Sequence, residues 1–317
     1  MRALASLSIA LCLIGVSHAG IQDPPKFEKL VVFGDSLSDD GNLFALTHGT
    51  APPPPYGETF DGTGRYVPGR FTDGEIWVDY LPSIAHHFPP ITAYFQDPLS
   101  KTATDFAIGS ATSADLLKPD PAGFPAEILT YLSATGGRAA ADNLYVIWIG
   151  TNDFAAQISP ETTVANIREG IVTLAHAGAK HFIVIDIPNI SLTPLVKALP
   201  SPDIAAAKQF VAAVNLLLAI ELPGLASAER VDVDLLEINT IFVPVVLEPA
   251  LFGFSNSVGA AYNPNAPLSP SNPVSDPNDY VFWDGYHPTT SVHFIAAEFI
   301  YKALFLRRHF HGFLSVR

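Results

Sequence analysis

Leu30-Val31-Val32-Phe33-Gly34-Asp35-Ser36-Leu37-Ser38 opens with four apolar residues and breaks at a glycine. A run this apolar, rich in β-branched and aromatic side chains, suits a strand covered on both faces, as strands of parallel sheets are. Four further runs share the character: Asp105 to Ile108, Leu144 to Ile149, Phe182 to Ile187 and Val231 to Leu236. Helical apolar spacing separates them, over Gly74 to Phe88, Ser159 to Ala177, Asp203 to Leu222 and Thr289 to Phe305. Thr72-Asp73-Gly74-Glu75 spells a capping box before the first. Pro288 and Thr289 start the last. Strands alternating with helices predict βαβ units and an α/β fold, a three-layer α/β/α sandwich with a mainly five-stranded parallel sheet. Ligands bind such sheets beyond the carboxyl ends of the strands. Ser36, directly after the first strand, stands at that edge.

Composition agrees with a folded body. The chain has 317 residues, 48% hydrophobic and 15% charged, which excludes a disordered tail protein. Its single cysteine excludes a disulfide-stapled mini-protein. A formal charge of −14 repels phosphate backbones and anionic membrane surfaces, so nucleic acid is not an expected partner. Met1 to Ala19 reads as a secretory signal peptide. Arg2 is its n-region, Ala3 to Val16 its apolar h-region, and Ser17-His18-Ala19 its cleavage site. That core of 14 residues is shorter than the roughly 20 needed to cross a bilayer. Cleavage near Ala19 removes Cys12 and Arg2, leaves a charge of −15, and predicts a secreted protein, extracellular or periplasmic. Residues 20–317 read as one domain, with no repeat and no later stretch apolar enough to span a membrane.

Two irregular regions interrupt the alternation. Residues 48 to 70 hold Pro52 to Pro55, and residues 248 to 282 hold Pro264, Pro267, Pro270, Pro273 and Pro277. A loop near 35 residues is unusual in a compact domain and is often functional, so the second is expected to border the active site.

Three strand-end or turn segments carry reactive groups. Ser36 lies in Gly34-Asp35-Ser36-Leu37-Ser38, where Ser38 occupies the place of the second glycine of a G-x-S-x-G elbow. Gly150-Thr151-Asn152-Asp153 follows the third apolar run, and Asp284-Gly285-Tyr286-His287 precedes the last helix. Taken singly, Ser36 is equally readable as a helix cap, and Gly150 to Asp153 reads first as a cap or Asx-turn. A carboxylate three residues before a histidine can hold one imidazole nitrogen while the other faces a nucleophile. The other histidines, among them His86, His87, His309 and His311, read as surface or core residues.

Together these blocks resemble the SGNH, or GDSL-type, hydrolase superfamily, and within it the lipase/esterase branch with its phospholipase and haemolysin-like members. The signature is Gly34-Asp35-Ser36-Leu37 followed by Ser38-Asp39-Asp40-Gly41-Asn42. Gly150-Thr151-Asn152-Asp153 matches G-x-N-D, and Asp284 to His287 matches D-x-x-H. Gly69-Arg70-Phe71 and Gly253-Phe254-Ser255-Asn256 are smaller echoes. The resemblance implies a flavodoxin-like sandwich and a secreted serine esterase or lipase acting through an acyl-enzyme. In it Ser36 is the nucleophile, His287 the base and Asp284 the residue that orients His287. The implied oxyanion donors are the Ser36 N–H, the Asn152 side chain and a backbone N–H from the family's N-x-A-x-G-G block. Here that block is Asp105-Phe106-Ala107-Ile108-Gly109-Ser110, so the donor is Gly109 or Ser110. Asp105 replaces an asparagine and Ser110 a glycine.

No cofactor or metal is implied, and no zinc, Walker or dinucleotide motif occurs. Asp39 and Asp40 near Ser36 read as solvated or capping groups rather than as a cation site. The expected partner is a small-molecule or lipid ester, with its acyl length and alcohol undetermined. An acyltransferase using the same groups is the nearest alternative. A non-catalytic binding module on the same fold is the more distant one.

Overall fold

The computed structural model describes residues 27–49, 69–85, 88–114, 123–264 and 271–306. The signal segment, the Pro52–Pro55 run and His86, His87, His309 and His311 lie outside the described residues. In chain order the elements are β1 (Leu30–Gly34), α1 (Asn42–Leu46), α2 (Trp77–Ala85), β2 (Thr92–Ala93), β3 (Ala103–Asp105), α3 (Phe124–Ala134), β4 (Leu144–Trp148) and α4 (Pro160–Ala177). They continue with β5 (His181–Ile185), α5 (Pro194–Lys197), α6 (Ser201–Glu229), β6 (Asp232–Leu236), α7 (Asn239–Leu247), β7 (Asn256–Ala260), β8 (Tyr280–Phe282) and α8 (Thr290–Leu306).

Six strands form a parallel sheet in the order β2-β3-β1-β4-β5-β6. Side chains alternate between its faces. Val31, Phe33, Tyr145 and Ile147 pack with Phe124, Ile167, Ile171, Phe210 and Val214 of α3, α4 and α6. Leu30, Val32, Val146 and Trp148 pack with Trp77, Leu81, Ala297 and Ile300 of α2 and α8. Both faces are covered, which is why β1 and β4 read as continuous apolar runs rather than alternating ones. This is the expected three-layer α/β/α arrangement. The sixth strand, β2, is two residues at the edge with a shifted register, too short to leave a sequence pattern. On the opposite edge, β6 exposes Asp232, whose charge discourages pairing with another chain.

Two local expectations are corrected. Thr72-Asp73 does not cap the helix it precedes. Asp73 Oδ1 accepts the Thr290 N–H at 2.7 Å, at the start of α8, and Thr72 Oγ1 donates to the Pro288 carbonyl at 2.8 Å. α2 begins later, where Asp79 Oδ2 accepts the Ile76 N–H at 2.9 Å. Helix α6 runs on through Pro223 to Glu229, past the expected end at Leu222. Its packing carries it past the residue that lacks an N–H. By length and composition α6 is apolar enough to cross a membrane, contrary to the sequence expectation. Here it lies against the sheet and α4, with Phe210, Val211, Val214, Leu218, Leu222 and Leu225 in the core.

Candidate active site

Strand β1 delivers the serine. A side chain at Gly34 would place its Cβ 2.5 Å from the Trp148 carbonyl oxygen, so β1 and β4 approach here only because the residue is glycine. The Gly34 N–H donates to the buried Glu127 Oε2 at 2.9 Å. The chain then curls: the Ser38 and Asp39 N–H groups both donate to the Asp35 carbonyl, and the Leu37 N–H donates to Asp35 Oδ1 at 3.0 Å. Ser36 Oγ caps nothing. It lies 2.9 Å from His287 Nε2.

The histidine comes from a five-residue turn. The Trp283 N–H donates to the His287 carbonyl at 2.8 Å, and Phe282 and Pro288 bridge beyond it. Asp284 organises the turn from within. Its Oδ1 accepts the Tyr286 and His287 N–H groups at 2.8 and 2.7 Å, while Oδ2 lies 2.8 Å from His287 Nδ1. Burial works to raise the Asp284 carboxyl, but His287 and the backbone donors outweigh it and hold it below the usual carboxylate range. Burial likewise works against a charged His287; Asp284 and then Asp35 overcome it, so the imidazole sits above its ordinary value. Phe71 packs beside it, with ring centroids 5.1 Å apart, giving the Gly69-Arg70-Phe71 echo a place in the site. Arg70 is anchored below by Asp79, its Nε donating to Oδ2 at 2.8 Å.

Gly109 and Ser110 separate clearly. The Gly109 N–H donates to Asp39 Oδ2 at 2.7 Å, and Gly109 does not line the cavity. A Cβ there would fall 2.4 Å from the Phe71 ring. Ser110 lines the cavity, is exposed, and adopts φ 69°, the left-handed conformation that a glycine takes more readily. Among the described residues, the N–H groups of Ser36 and Ser110 have no acceptor. Asn152 also lines the cavity. Its Nδ2 donates to the Ala111 carbonyl at 2.8 Å, and the amide's second N–H is left for another acceptor. Asp153 fixes the turn, accepting the Ser113 N–H at 2.8 Å and Thr163 Oγ1 at 2.7 Å.

Asp39 and Asp40 are buried, not solvated. Asp39 caps α1, accepting the Gly41, Asn42 and Leu43 N–H groups besides that of Gly109; burial raises its carboxyl to about 6 against these bonds. The Asp40 N–H donates to Asp105 Oδ2 at 3.0 Å, and Asp105 Oδ1 accepts the Ala107 N–H at 2.9 Å. Asp105 therefore serves as an acceptor that ties the turn after Ser36 to its own strand. Among the described residues, no three His, Cys, Asp or Glu side chains are grouped so as to hold a metal ion.

A cavity of about 530 Å³ opens at Ser36, Asn152 and His287. Its walls come from α7, α8 and the segment after β5: Ile238, Val245, Val292, Ala296, Ile190 and Val196. Sequence reasoning singled out neither 188–199 nor α7. The available signal was the unbroken apolar run from Ile241 to Leu247, which fits a helix wedged between a core and a cavity. The described residues of 248–282 do not line the cavity. They brace the Asp284 turn from outside. The Ala261 and Tyr262 N–H groups donate to the Phe282 and Trp283 carbonyls, and the Tyr262 ring stacks on Trp283 at 5.1 Å.

The chain is similar to known proteins. A phosphatidylcholine-sterol acyltransferase of Aeromonas hydrophila is 25% identical, over 91% of this chain and 94% of that one. A GDSL esterase/lipase of Arabidopsis thaliana is 28% identical, over 96% of this chain and 99% of its own. A solved member of the lipolytic G-D-S-L family from Veillonella parvula DSM 2008 aligns with a TM-score of 0.45 at 14% identity, covering 87% of this chain and 96% of that one. The model of the family described as GDSL-like Lipase/Acylhydrolase matches residues 30–300. With that match spanning most of the chain, the protein belongs to the GDSL-like lipase/acylhydrolase family and is an enzyme of the carboxylic ester hydrolase class.

Proposed function

We propose that this protein cleaves carboxylic esters by a two-step serine mechanism. Ser36 Oγ attacks the ester carbonyl carbon as His287 Nε2 takes its proton. Asp284 holds the Nδ1–H tautomer and stabilises the imidazolium that forms. The carbonyl oxygen, now an anion, is received by the Ser36 and Ser110 N–H groups and by Asn152 Nδ2. Collapse breaks the bond to the alcohol oxygen, and His287 returns the proton to it. Water repeats the sequence on the acyl-enzyme. Gly109 supports the hole through Asp39 rather than donating into it.

The 2.9 Å contact between Ser36 Oγ and His287 Nε2 carries this reading. The test is Ser36→Ala, which should abolish ester turnover in a protein whose circular dichroism is unchanged. Retained turnover would remove Ser36 as nucleophile.

The similarity to the Aeromonas acyltransferase favours a second reading, in which another alcohol replaces water at the acyl-enzyme. Product analysis with an added sterol separates the two. We also propose that the chain is exported and cleaved near Ala19, on the strength of Arg2, the apolar Ala3–Val16 segment and Ser17-His18-Ala19, leaving 20–317 as one catalytic domain. N-terminal sequencing of the exported protein tests this.

A further inference from the structure

We infer that the cavity between α7, α8 and the segment after β5 houses the acyl chain of a fatty-acid ester, which makes this a long-acyl esterase rather than a deacetylase; the inference rests on the acyl-enzyme reading above. An ester carbonyl over Ser36 has two substituents, and the cavity takes one of them. Its volume of about 530 Å³ is of the size that holds whole ligands, well beyond an acetyl methyl.

The walls decide the chemistry. Ile238, Val245, Val292, Ile190 and Val196 are each no more than 6% exposed and present only hydrocarbon. Away from Ser36, Ser110, His287 and Asn152, the polar lining is Thr151, Thr193, Trp148, Tyr286 and His293. Thr193 Oγ1 is already committed to the Ile190 carbonyl at 2.8 Å. Trp148 Nε1 and His293 Nδ1 are buried in the wall without partners, and burial followed by the neighbouring His287 pushes the His293 imidazole down to about 3, so it stays neutral. Beyond these few groups a sugar or polyol in this space would leave its hydroxyls unbonded, at a cost of roughly 1–3 kcal/mol each. An alkyl chain brings no hydroxyl that needs a partner and gains about 0.8 kcal/mol per buried methylene.

The order of events assigns the cavity to the acyl side. The acyl group stays on Ser36 through both steps. The alcohol must leave past His287, and water must enter by the same route. The enclosed arm therefore suits the group that remains. Tyr286 and Leu199, 47% and 38% exposed, stand at the open rim.

The test varies the acyl group at a fixed alcohol. The wild-type protein should give a higher kcat/KM for p-nitrophenyl octanoate than for the acetate. Ala296→Phe and Val245→Phe, which fill the cavity, should lower that octanoate-to-acetate ratio about tenfold or more, the scale of lost methylene contacts in an apolar pocket. A wild-type preference for acetate, or a ratio unmoved in folded variants, overturns the inference. Because an overfilled wall can also unfold the protein, a second measurement leaves the wall intact. Calorimetry on Ser36→Ala should show dodecanoate binding and no acetate binding, and equal or absent binding of both overturns the inference. If dodecanoate binds but the wild type cleaves no ester, the serine-esterase reading fails while the cavity assignment stands. If acetate is cleaved and long chains neither bind nor react, the reverse holds.

Discussion

Asp39 Oδ2 accepts the backbone N–H of Gly109 at 2.7 Å. Among the described residues, this leaves Ser110 as the one in the Asp105–Ser110 block whose N–H has no acceptor. The contribution is a backbone one, so the side chain should be dispensable while the left-handed backbone should not. Ser110→Gly is expected to keep kcat within about threefold, far from the 10²–10³ cost of losing a donor. Its stability should change by less than about 1 kcal/mol, because relief of the left-handed strain is offset by the entropy of glycine. Ser110→Val, β-branched at a positive φ, should lose most activity. Steady-state kinetics on a soluble ester check both. A large loss in Ser110→Gly would assign the work to the hydroxyl.

Asn152→Ala should lower kcat about 10²–10³-fold, or roughly 2.7–4 kcal/mol, with little change in KM. The Ala111 carbonyl loses its donor in the same variant, so a melting temperature should be measured beside the kinetics. A change confined to KM would make Asn152 a substrate-binding group.

The pH profile follows from the raised His287. The base must be neutral, so kcat/KM should climb through an apparent pKa above the ordinary 6.5 of histidine. In Asp284→Asn the partner that raises it is gone; the inflection should move down and kcat should fall by about 10⁴-fold, the cost known for losing the orienting carboxylate. A rate independent of pH down to 5 would contradict a histidine base.

Stability should run the opposite way. Asp35 and Asp39 are raised by burial to about 6 and Asp186 to about 7, so the folded state holds protons that the unfolded chain releases near 3.8. Wherever the folded state binds more protons, stability falls as pH rises. The raised His287 has the same sign, its contribution being lost as pH passes the folded value, while His293, pushed down to about 3, has the opposite sign and is outweighed by the three carboxyls. Melting temperature should therefore be higher near pH 5 than near pH 8, while activity is lower. Scanning calorimetry across that range measures it, and a melting temperature that climbs steadily with pH would contradict the burial of these acids.

Much of this was readable from the chain because the strands are buried on both faces. Leu30 to Phe33 and Leu144 to Trp148 carry no polar residue to blur them. Ser36, Asp284 and His287, which the structure brings together, were legible because each sits within a few residues of a strand end or helix start. What was not legible depends on long-range partners. Nothing local to Thr72-Asp73 says that it caps a helix starting at Thr290. Nothing near Gly109 says that its N–H is taken by Asp39. The cavity walls escaped notice because apolar residues facing empty space look like apolar residues facing a core. The long proline-rich loop was expected at the substrate, but its described residues brace the Asp284 turn, because Tyr262 finds Trp283 to stack on.

The central claim is that Ser36 becomes covalently acylated with the help of His287. Incubation with a fluorophosphonate ester mimic, followed by intact-mass and peptide-level mass spectrometry, tests it without any assumption about substrate. A single adduct on Ser36, formed by the wild-type protein and lost in His287→Ala, is the predicted result. Absence of an adduct on the folded wild-type protein, or one placed on another serine, would contradict the account.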